Sequence, residues 1–125
     1  MHFSAFFRFW LPPLLWAALI FVLSSIPDLA PPEAIQFRFW DKLAHASVYA
    51  ILGALIARAW TGTNRHYALI ASMMIGTLYG ASDELHQFFV PGRFSQISDI
   101  VADAAGSSIG AWTWLRIVGL RSKSA

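Results

Sequence analysis

The sequence contains no cysteine, and charged residues make up only 13% of its 125 residues. Without cysteine, disulfides, thiolate metal sites and a cysteine nucleophile are excluded. So few charges cannot cover the surface of a soluble domain, whereas 57% hydrophobic residues and a mean hydropathy of +0.53 suit lipid. The composition therefore predicts a membrane protein with a single domain, residues 1–125. Its net charge of only +2 predicts no nucleic-acid partner.

Four apolar stretches, each long enough to cross a hydrocarbon core of about 30 Å, follow one another along the chain. They predict an all-α fold, a polytopic bundle of four transmembrane helices, over about residues 6–26, 43–60, 67–90 and 97–118. Within the first stretch, Arg8 precedes an apolar run as in a signal peptide, but no small-x-small cleavage site follows the run, so we expect it to be retained. Two glycine pairs have the GxxxG spacing that lets helix backbones approach closely, Gly76 with Gly80 and Gly106 with Gly110.

Charges are distributed unequally between the two sides of the predicted bundle. The side with both termini carries six basic residues: Arg8, Arg58, Arg65, Arg116, Arg121 and Lys123. The other side carries three: Arg38, Lys42 and Arg93. By the positive-inside rule, both termini are cytoplasmic. All seven acidic residues fall on the outer side: Asp28, Glu33, Asp41, Asp83, Glu84, Asp99 and Asp103.

Two of these acids, Asp28 and Glu33, are expected to be ordinary loop charges. The other five lie at predicted helix ends, where an ionisable group is costly unless it faces a partner or water. Asp41, His45 and Tyr49 follow one another at steps of four residues on one helix face, with Lys42 on a neighbouring face. Helix-start electrostatics explain Asp41 and Lys42, and a satisfied interior histidine explains His45, as well as a function does.

The adjacent Asp83 and Glu84 lie near the C-terminal end of the third helix, where the helix dipole disfavours negative charge. Two carboxylates in this position predict a nearby cation, and Arg93 can fold back on them as a clamp. Gln87, three residues after Glu84, can point with it.

The fourth helix begins with two carboxylates that are four residues apart, Asp99 and Asp103. Asp99 alone is explained as a favourable helix-start charge. Asp103 lies one turn deeper and nearly shares a face with Gly106 and Gly110, so we expect it to face the interior of the bundle. These helix ends together predict one outward-facing polar pocket.

Three motifs in this order resemble the VanZ-like family of small bacterial membrane proteins. They are DKxxH (Asp41, Lys42, His45), DExxQ (Asp83, Glu84, Gln87) and PGRxxxxxD followed by DxxG (Pro91, Gly92, Arg93, Asp99, Asp103, Gly106). The resemblance extends from the first helix to Gly110, with one departure: the family commonly carries Asn where this chain has Asp103. It implies a multi-pass protein of the bacterial inner membrane, linked to the cell envelope and without a known cofactor. The family's namesake confers low-level resistance to the glycopeptide teicoplanin.

Three classes of function remain open, and whether the protein is an enzyme is undecided. The first is an envelope protein that binds or modifies a membrane lipid or a lipid-linked cell-wall precursor, with Glu84 as general acid or base and His45 as second proton carrier. Arg93 and Lys42 would hold a phosphate. The second is a noncatalytic partner protein whose charged network is structural. The third is a transporter, which is disfavoured because an ion path needs polar groups through both leaflets.

The residues assigned to the first hypothesis fall into two groups. The catalytic candidates are Glu84, His45, Asp83 and Asp99, and the substrate-binding candidates are Arg93, Lys42, Asp41, Gln87 and Asp103. A metal site from Asp41, His45, Glu84 and Asp99 has suitable ligand types, but no HExxH-like spacing supports it. The sequence therefore predicts no metal and no cofactor, and it leaves the oligomeric state and binding of a glycopeptide open.

Overall fold

The computed structural model describes residues 3–27, 38–60 and 64–121, and these contain four α-helices and no strand. The helices are α1 (Phe3–Ser24), α2 (Arg38–Ala59), α3 (Arg65–Gln87) and α4 (Ile97–Arg121). The predicted all-α class and the number of helices are confirmed. The loop acids Asp28 and Glu33 lie outside the described residues, as does Lys123.

Most helix boundaries differ from those predicted by hydropathy, by up to five residues, and two of the differences have a clear cause. α2 begins at Arg38, five residues before the predicted position 43, and takes in Asp41, whose charge is favourable in the first turn of a helix. α3 ends at Gln87, three residues before the predicted position 90. Val90 donates its backbone N–H to the Gln87 carbonyl, three residues back, in the tighter pattern common at helix ends. The apolar content of a segment predicted both of these boundaries wrongly. It indicates which residues are buried in lipid or in a core, but it does not report where the helical backbone conformation begins or ends.

The pairing of α2 with α4 is the most extensive interhelical contact within the described residues. The two helices run in parallel, because Gly106 meets Ala46 and Gly110, four residues on, meets Ala50. A Cβ atom added to Gly106 would collide with the Ala46 carbonyl, and one added to Gly110 would collide with the Ala50 carbonyl. The absence of a side chain at these two glycines thus sets the distance between the helix backbones. The close approach predicted from this GxxxG pair is confirmed.

α3 runs antiparallel to α4 and packs on it through the second glycine pair. Gly76 faces Ser107, and a Cβ atom added to Gly80 would lie 2.7 Å from Oδ2 of Asp103. α1 contacts α2 and α3 but, within the described residues, not α4. The indole of Trp16 on α1 donates a 2.9 Å hydrogen bond to the Val48 carbonyl of α2. Within the described residues, α2 and α3 therefore each contact all three other helices, whereas α4 contacts two.

Apolar side chains are exposed on every helix, while many buried side chains are polar. The exposed ones include Leu15 and Val22 on α1, Ile51 on α2, Leu78 and Leu85 on α3, and Val101 and Ile109 on α4. The buried polar ones are Ser24, Ser72, Asp83, Glu84, Gln87, Asp99, Asp103 and Ser107. Among the described helices, only α1, between Phe6 and Ser24, is long and apolar enough by composition to cross a membrane.

The two ends of the bundle differ in charge. At one end, which we call the acidic end, the last turns of α1 and α3 meet the first turns of α2 and α4, bringing together the five acids of the described helices. At the opposite end, Arg58 of α2 donates a 3.3 Å hydrogen bond to the Arg8 carbonyl of α1, and Arg65 of α3 approaches Gly119 of α4. The acids, which lie at the ends of three different helices, are therefore brought to the same end of the folded bundle.

Candidate functional site

The first turns of α2 and α4 are joined by an ion pair between Lys42 and Asp99 at the acidic end. Asp99 is 1% exposed, and the Lys42 ammonium also donates to the Gln96 side-chain carbonyl at 3.2 Å. Asp41 lies on the solvent side of the same ammonium, with Oδ2 at 3.5 Å from Nζ. The ammonium thus faces three oxygen-bearing side chains, which compensate the burial of Asp99.

One turn deeper, the same parallel register places His45 of α2 against Asp103 of α4. Nδ1 of His45 lies 2.9 Å from Oδ1 of Asp103, a hydrogen bond that fixes the orientation of the imidazole ring. Asp103 is fully buried, which confirms that it faces the interior of the bundle. Its second oxygen, Oδ2, is also buried and has no hydrogen-bond partner among the described residues. Gly80 leaves the space that this carboxylate occupies.

Glu84 reaches the same place from the last turn of α3. Oε2 accepts a 2.9 Å hydrogen bond from the backbone N–H of Gln96, in the connection between α3 and α4. Glu84 is 2% exposed, and its other oxygen, Oε1, has no partner among the described residues. One nitrogen of His45 and one carboxylate oxygen each from Glu84 and Asp103 lie within 4.8 Å of one another. We refer to His45, Glu84 and Asp103 as the buried centre.

Beside the buried centre, a second polar chain links α3 to the end of α1. The Gln87 amide nitrogen lies 3.2 Å from Asp83 Oδ2 and 3.2 Å from Ser24 Oγ. Gln87 is therefore paired with Asp83, four residues before it, and not with Glu84 as its spacing suggested. The hydroxyl of Ser25 lies 2.9 Å from Nε2 of His86. These contacts anchor the last turn of α1 and orient Asp83.

The predicted Arg93 clamp on Asp83 and Glu84 is wrong. No ion pair joins Arg93 to either carboxylate within the described part of the chain. The unfavourable helix-end position of Glu84 is compensated instead by the Gln96 backbone N–H, and that of Asp83 by the Gln87 amide. The helix dipole correctly indicated that these carboxylates need donors, but it could not distinguish a guanidinium from amide groups.

Three residues of the site were not among the sequence candidates. Tyr49 is 1% exposed, and its hydroxyl has no partner among the described residues. Its position four residues after His45 was a usable signal, because both lie on one helix face. Gln96 contributes a backbone N–H and a side-chain carbonyl, and Ser107 a buried hydroxyl without a described partner. Neither stands out in the sequence, because loop backbone groups and helix serines carry no distinctive pattern.

The arrangement supports two kinds of chemistry. A histidine hydrogen-bonded to one carboxylate and close to a second can exchange protons with a bound molecule. The same donor types can bind a cation, and two triplets are close enough to do so: the buried centre, and Asp41 with His45 and Asp99. The nine residues predicted to form the site include five carboxylates but only two permanent cations, Lys42 and Arg93. The acidic end therefore favours hydrogen-bond donors and cations over anions as ligands.

These features define a small helical protein with a buried acid and histidine centre at one end of the bundle. The chain belongs to the VanZ/LLP1 family, whose model matches residues 2–119. The resemblance seen in the three motifs is thereby confirmed over nearly the whole chain. No curated protein and no solved structure matches it.

Proposed function

We propose that this is a multi-pass protein of the bacterial inner membrane, with both termini in the cytoplasm and the acidic end at the outer leaflet. The observation in support is that exposed side chains are largely apolar on all four helices while polar groups are buried. Helices of 22 to 25 residues reach about 33 to 38 Å, enough for a hydrocarbon core. The basic residues at the end opposite the acids favour this orientation.

At the acidic end, the protein binds the polar head of a lipid or of a lipid-linked glycan. The observation that carries this proposal is the pair of buried carboxylate oxygens without described partners, Glu84 Oε1 and Asp103 Oδ2. Buried acceptors of this kind are costly unless a donor reaches them. The hydroxyl groups of a glycan or glycerol head, or an ammonium group, supply such donors. Lys42, already held by Asp99 and Gln96, is less suited to a phosphate than its charge alone suggested.

As chemistry, Glu84 accepts or donates the proton of a bound hydroxyl, and His45 is the second proton carrier. Asp103 holds the imidazole ring through the 2.9 Å hydrogen bond at Nδ1, so that its orientation does not depend on the ligand. Asp83 and Asp99 take positioning roles in this scheme, through Gln87 and Lys42 respectively.

The test compares wild type with Glu84→Gln, which keeps the shape of the side chain and removes its charge. Both are expressed at equal level and purified in native-lipid nanodiscs, and the bound lipids and whole-cell lipids are measured by mass spectrometry. Loss of a selectively bound lipid supports binding, and a change in cell lipids with binding retained supports catalysis. His66→Gln, at an exposed position in the first turn of α3, is the control. Identical bound and cellular lipids in wild type and Glu84→Gln would refute the proposal.

A structural role for the charged network is the second candidate, favoured by the ion pair of Lys42 with Asp99. If the pair only holds α2 against α4, then Lys42→Asp and Asp99→Lys each lower stability, and the double exchange restores both stability and the cellular lipid profile. Restored stability without a restored lipid profile would instead assign this pair to the binding site.

The envelope proposal includes a link to teicoplanin tolerance, which the family resemblance implies. The measurement is the minimal inhibitory concentration of teicoplanin in a susceptible host with the wild-type chain, with Glu84→Gln or with an empty vector. An increase that requires Glu84 supports the link, and equal values in all three strains exclude it for that host.

A further inference from the structure

We infer that the buried centre holds one divalent transition-metal ion, with His45, Glu84 and Asp103 as its protein ligands. The inference rests on the proposed function, because it places the ion where the polar head binds. It goes further in naming a cofactor class that the spacing of the sequence did not predict.

The geometry of the buried centre suits a metal site. One donor atom from each of the three residues lies within 4.8 Å of the other two. His45 Nδ1 and Asp103 Oδ1 are 2.9 Å apart, whereas neighbouring donors around a tetrahedral ion are separated by about 3.4 Å for metal–ligand distances near 2.1 Å. A shift of a few tenths of an ångström therefore converts a hydrogen-bonded pair into two ligands. The donors come from three different helices, so the helix packing itself forms the site.

An independent observation points to a ligand at this place. Glu84 is 2% exposed and Asp103 is fully buried, yet one oxygen of each lacks a hydrogen-bond partner among the described residues. The Tyr49 hydroxyl, one helical turn from His45, is a third buried polar atom without a described partner. Buried carboxylates are normally paired or bound to a metal. A cation between them satisfies both unpaired oxygens at once.

The second triplet, Asp41 with His45 and Asp99, is a poorer site. The Lys42 ammonium already contacts both of its carboxylates, so a metal ion there would lie against a positive charge. The buried centre has no permanent cation among its contacts in the described chain. This difference selects Glu84 and Asp103 over Asp41 and Asp99 as the carboxylate ligands.

The ligand types indicate which ions fit. One imidazole nitrogen with two carboxylate oxygens suits Zn²⁺ or Mn²⁺, while Mg²⁺ and Ca²⁺ favour oxygen ligands alone. Three protein ligands leave at least one coordination position open, which is typical of sites that bind a substrate oxygen. The open position would accept a hydroxyl or phosphate oxygen of the polar head.

The experiment measures Mn²⁺ binding to the full chain in detergent after removal of metal with a chelator. Free Mn²⁺ is followed by electron paramagnetic resonance in wild type, His45→Gln, Glu84→Gln and Asp103→Asn, with His66→Gln as the matched histidine control. We expect one ion per chain in wild type, affinity weakened at least about tenfold in the three ligand variants, and unchanged affinity in the control. No saturable binding in wild type, or equal binding in all variants, would overturn the inference.

A second measurement, made on the wild-type protein, tests the inference even if the ligand variants fail to fold. In the wild-type protein loaded with Mn²⁺, pulsed resonance should detect coupling to a histidine nitrogen, and its absence would also overturn the inference. The two proposals fail separately. Metal binding without any lipid difference for Glu84→Gln refutes the lipid function and supports the ion. A selectively bound lipid that survives chelation, with no Mn²⁺ binding, refutes the ion and leaves the lipid function standing.

Discussion

The contact between α2 and α4 gives the sharpest quantitative prediction, which concerns Gly106→Ala. The Cβ atom of the alanine would lie 2.8 Å from the carbonyl carbon and from Cα of Ala46, and closer still to its carbonyl oxygen. Carbon atoms in favourable contact are about 3.5–4.0 Å apart, so the two backbones must separate locally by about 1 Å. Neither backbone can move aside by a rotamer change, so the helices themselves have to shift.

That displacement reaches the buried centre less than one turn away. The 2.9 Å hydrogen bond between His45 and Asp103 would lengthen by up to the same amount and exceed the normal range. Overpacking costs about 1–3 kcal/mol and loss of a hydrogen bond to a carboxylate about 1.5–3 kcal/mol, offset by about 1 kcal/mol from the better helix propensity of alanine. We therefore expect the free energy of unfolding to fall by about 1.5–5 kcal/mol.

Unfolding of the purified protein in mixed micelles by added sodium dodecyl sulfate, followed by circular dichroism, measures this difference. Ala105→Leu is the control, because it adds more volume than Gly106→Ala but at a neighbouring exposed position of α4. We expect the control to be close to wild type. If Gly106→Ala unfolds at the same fraction of sodium dodecyl sulfate as wild type, or at a higher fraction, then α2 and α4 do not pack in backbone contact at Gly106.

Three further predictions concern positions with a single defined role. Tyr49→Phe removes a buried hydroxyl without a described partner, so in delipidated protein it should raise the free energy of unfolding by about 1 kcal/mol; a fall would reveal a partner for the hydroxyl. Asn64→Ala removes the side chain that accepts from the His66 backbone N–H at 2.9 Å at the start of α3 and should cost about 1 kcal/mol, while Asn64→Asp should retain most of the stability. Gly92→Ala places a side chain at φ 73° in the turn between α3 and α4 and should cost about 1–2 kcal/mol; Gly92→Asn should cost less, and equal melting temperatures would contradict the turn geometry.

Hydropathy was a good guide to the number and order of the helices and a poor guide to their ends. It identifies segments whose apolar content needs burial or lipid, and all four such segments are helical. It placed the start of α2 too late, because Asp41 and Lys42 are polar yet lie in the helix. It placed the end of α3 too far on, because Phe88, Phe89 and Val90 are apolar yet lie in the turn.

The candidate residues were found from a different signal, the cost of placing charge at a helix end. That cost showed that Asp83, Glu84, Asp99 and Asp103 need partners, but it did not identify the partners. Within the described chain, Arg93 forms no ion pair with Asp83 or Glu84, whereas Lys42 pairs with Asp99. The donor to Glu84 is a backbone N–H in the connection between α3 and α4. Which side chains pair depends on the relative position of two helices. The residue spacing within one helix carries no information about that position.

By itself, the amino-acid sequence determined the helices, the placement of the helix acids at one end and of most basic residues at the other, and the membership of the family suggested by three motifs. These follow from local composition and periodicity, which are properties of each segment alone. Only the tertiary structure decided that α2 and α4 lie in parallel contact, and that His45, Glu84 and Asp103 form one buried centre with two unpaired oxygens. The physical reason is that Gly80, Gly106 and Gly110 allow close packing in three dimensions, and the resulting distances between helices set which side chains meet.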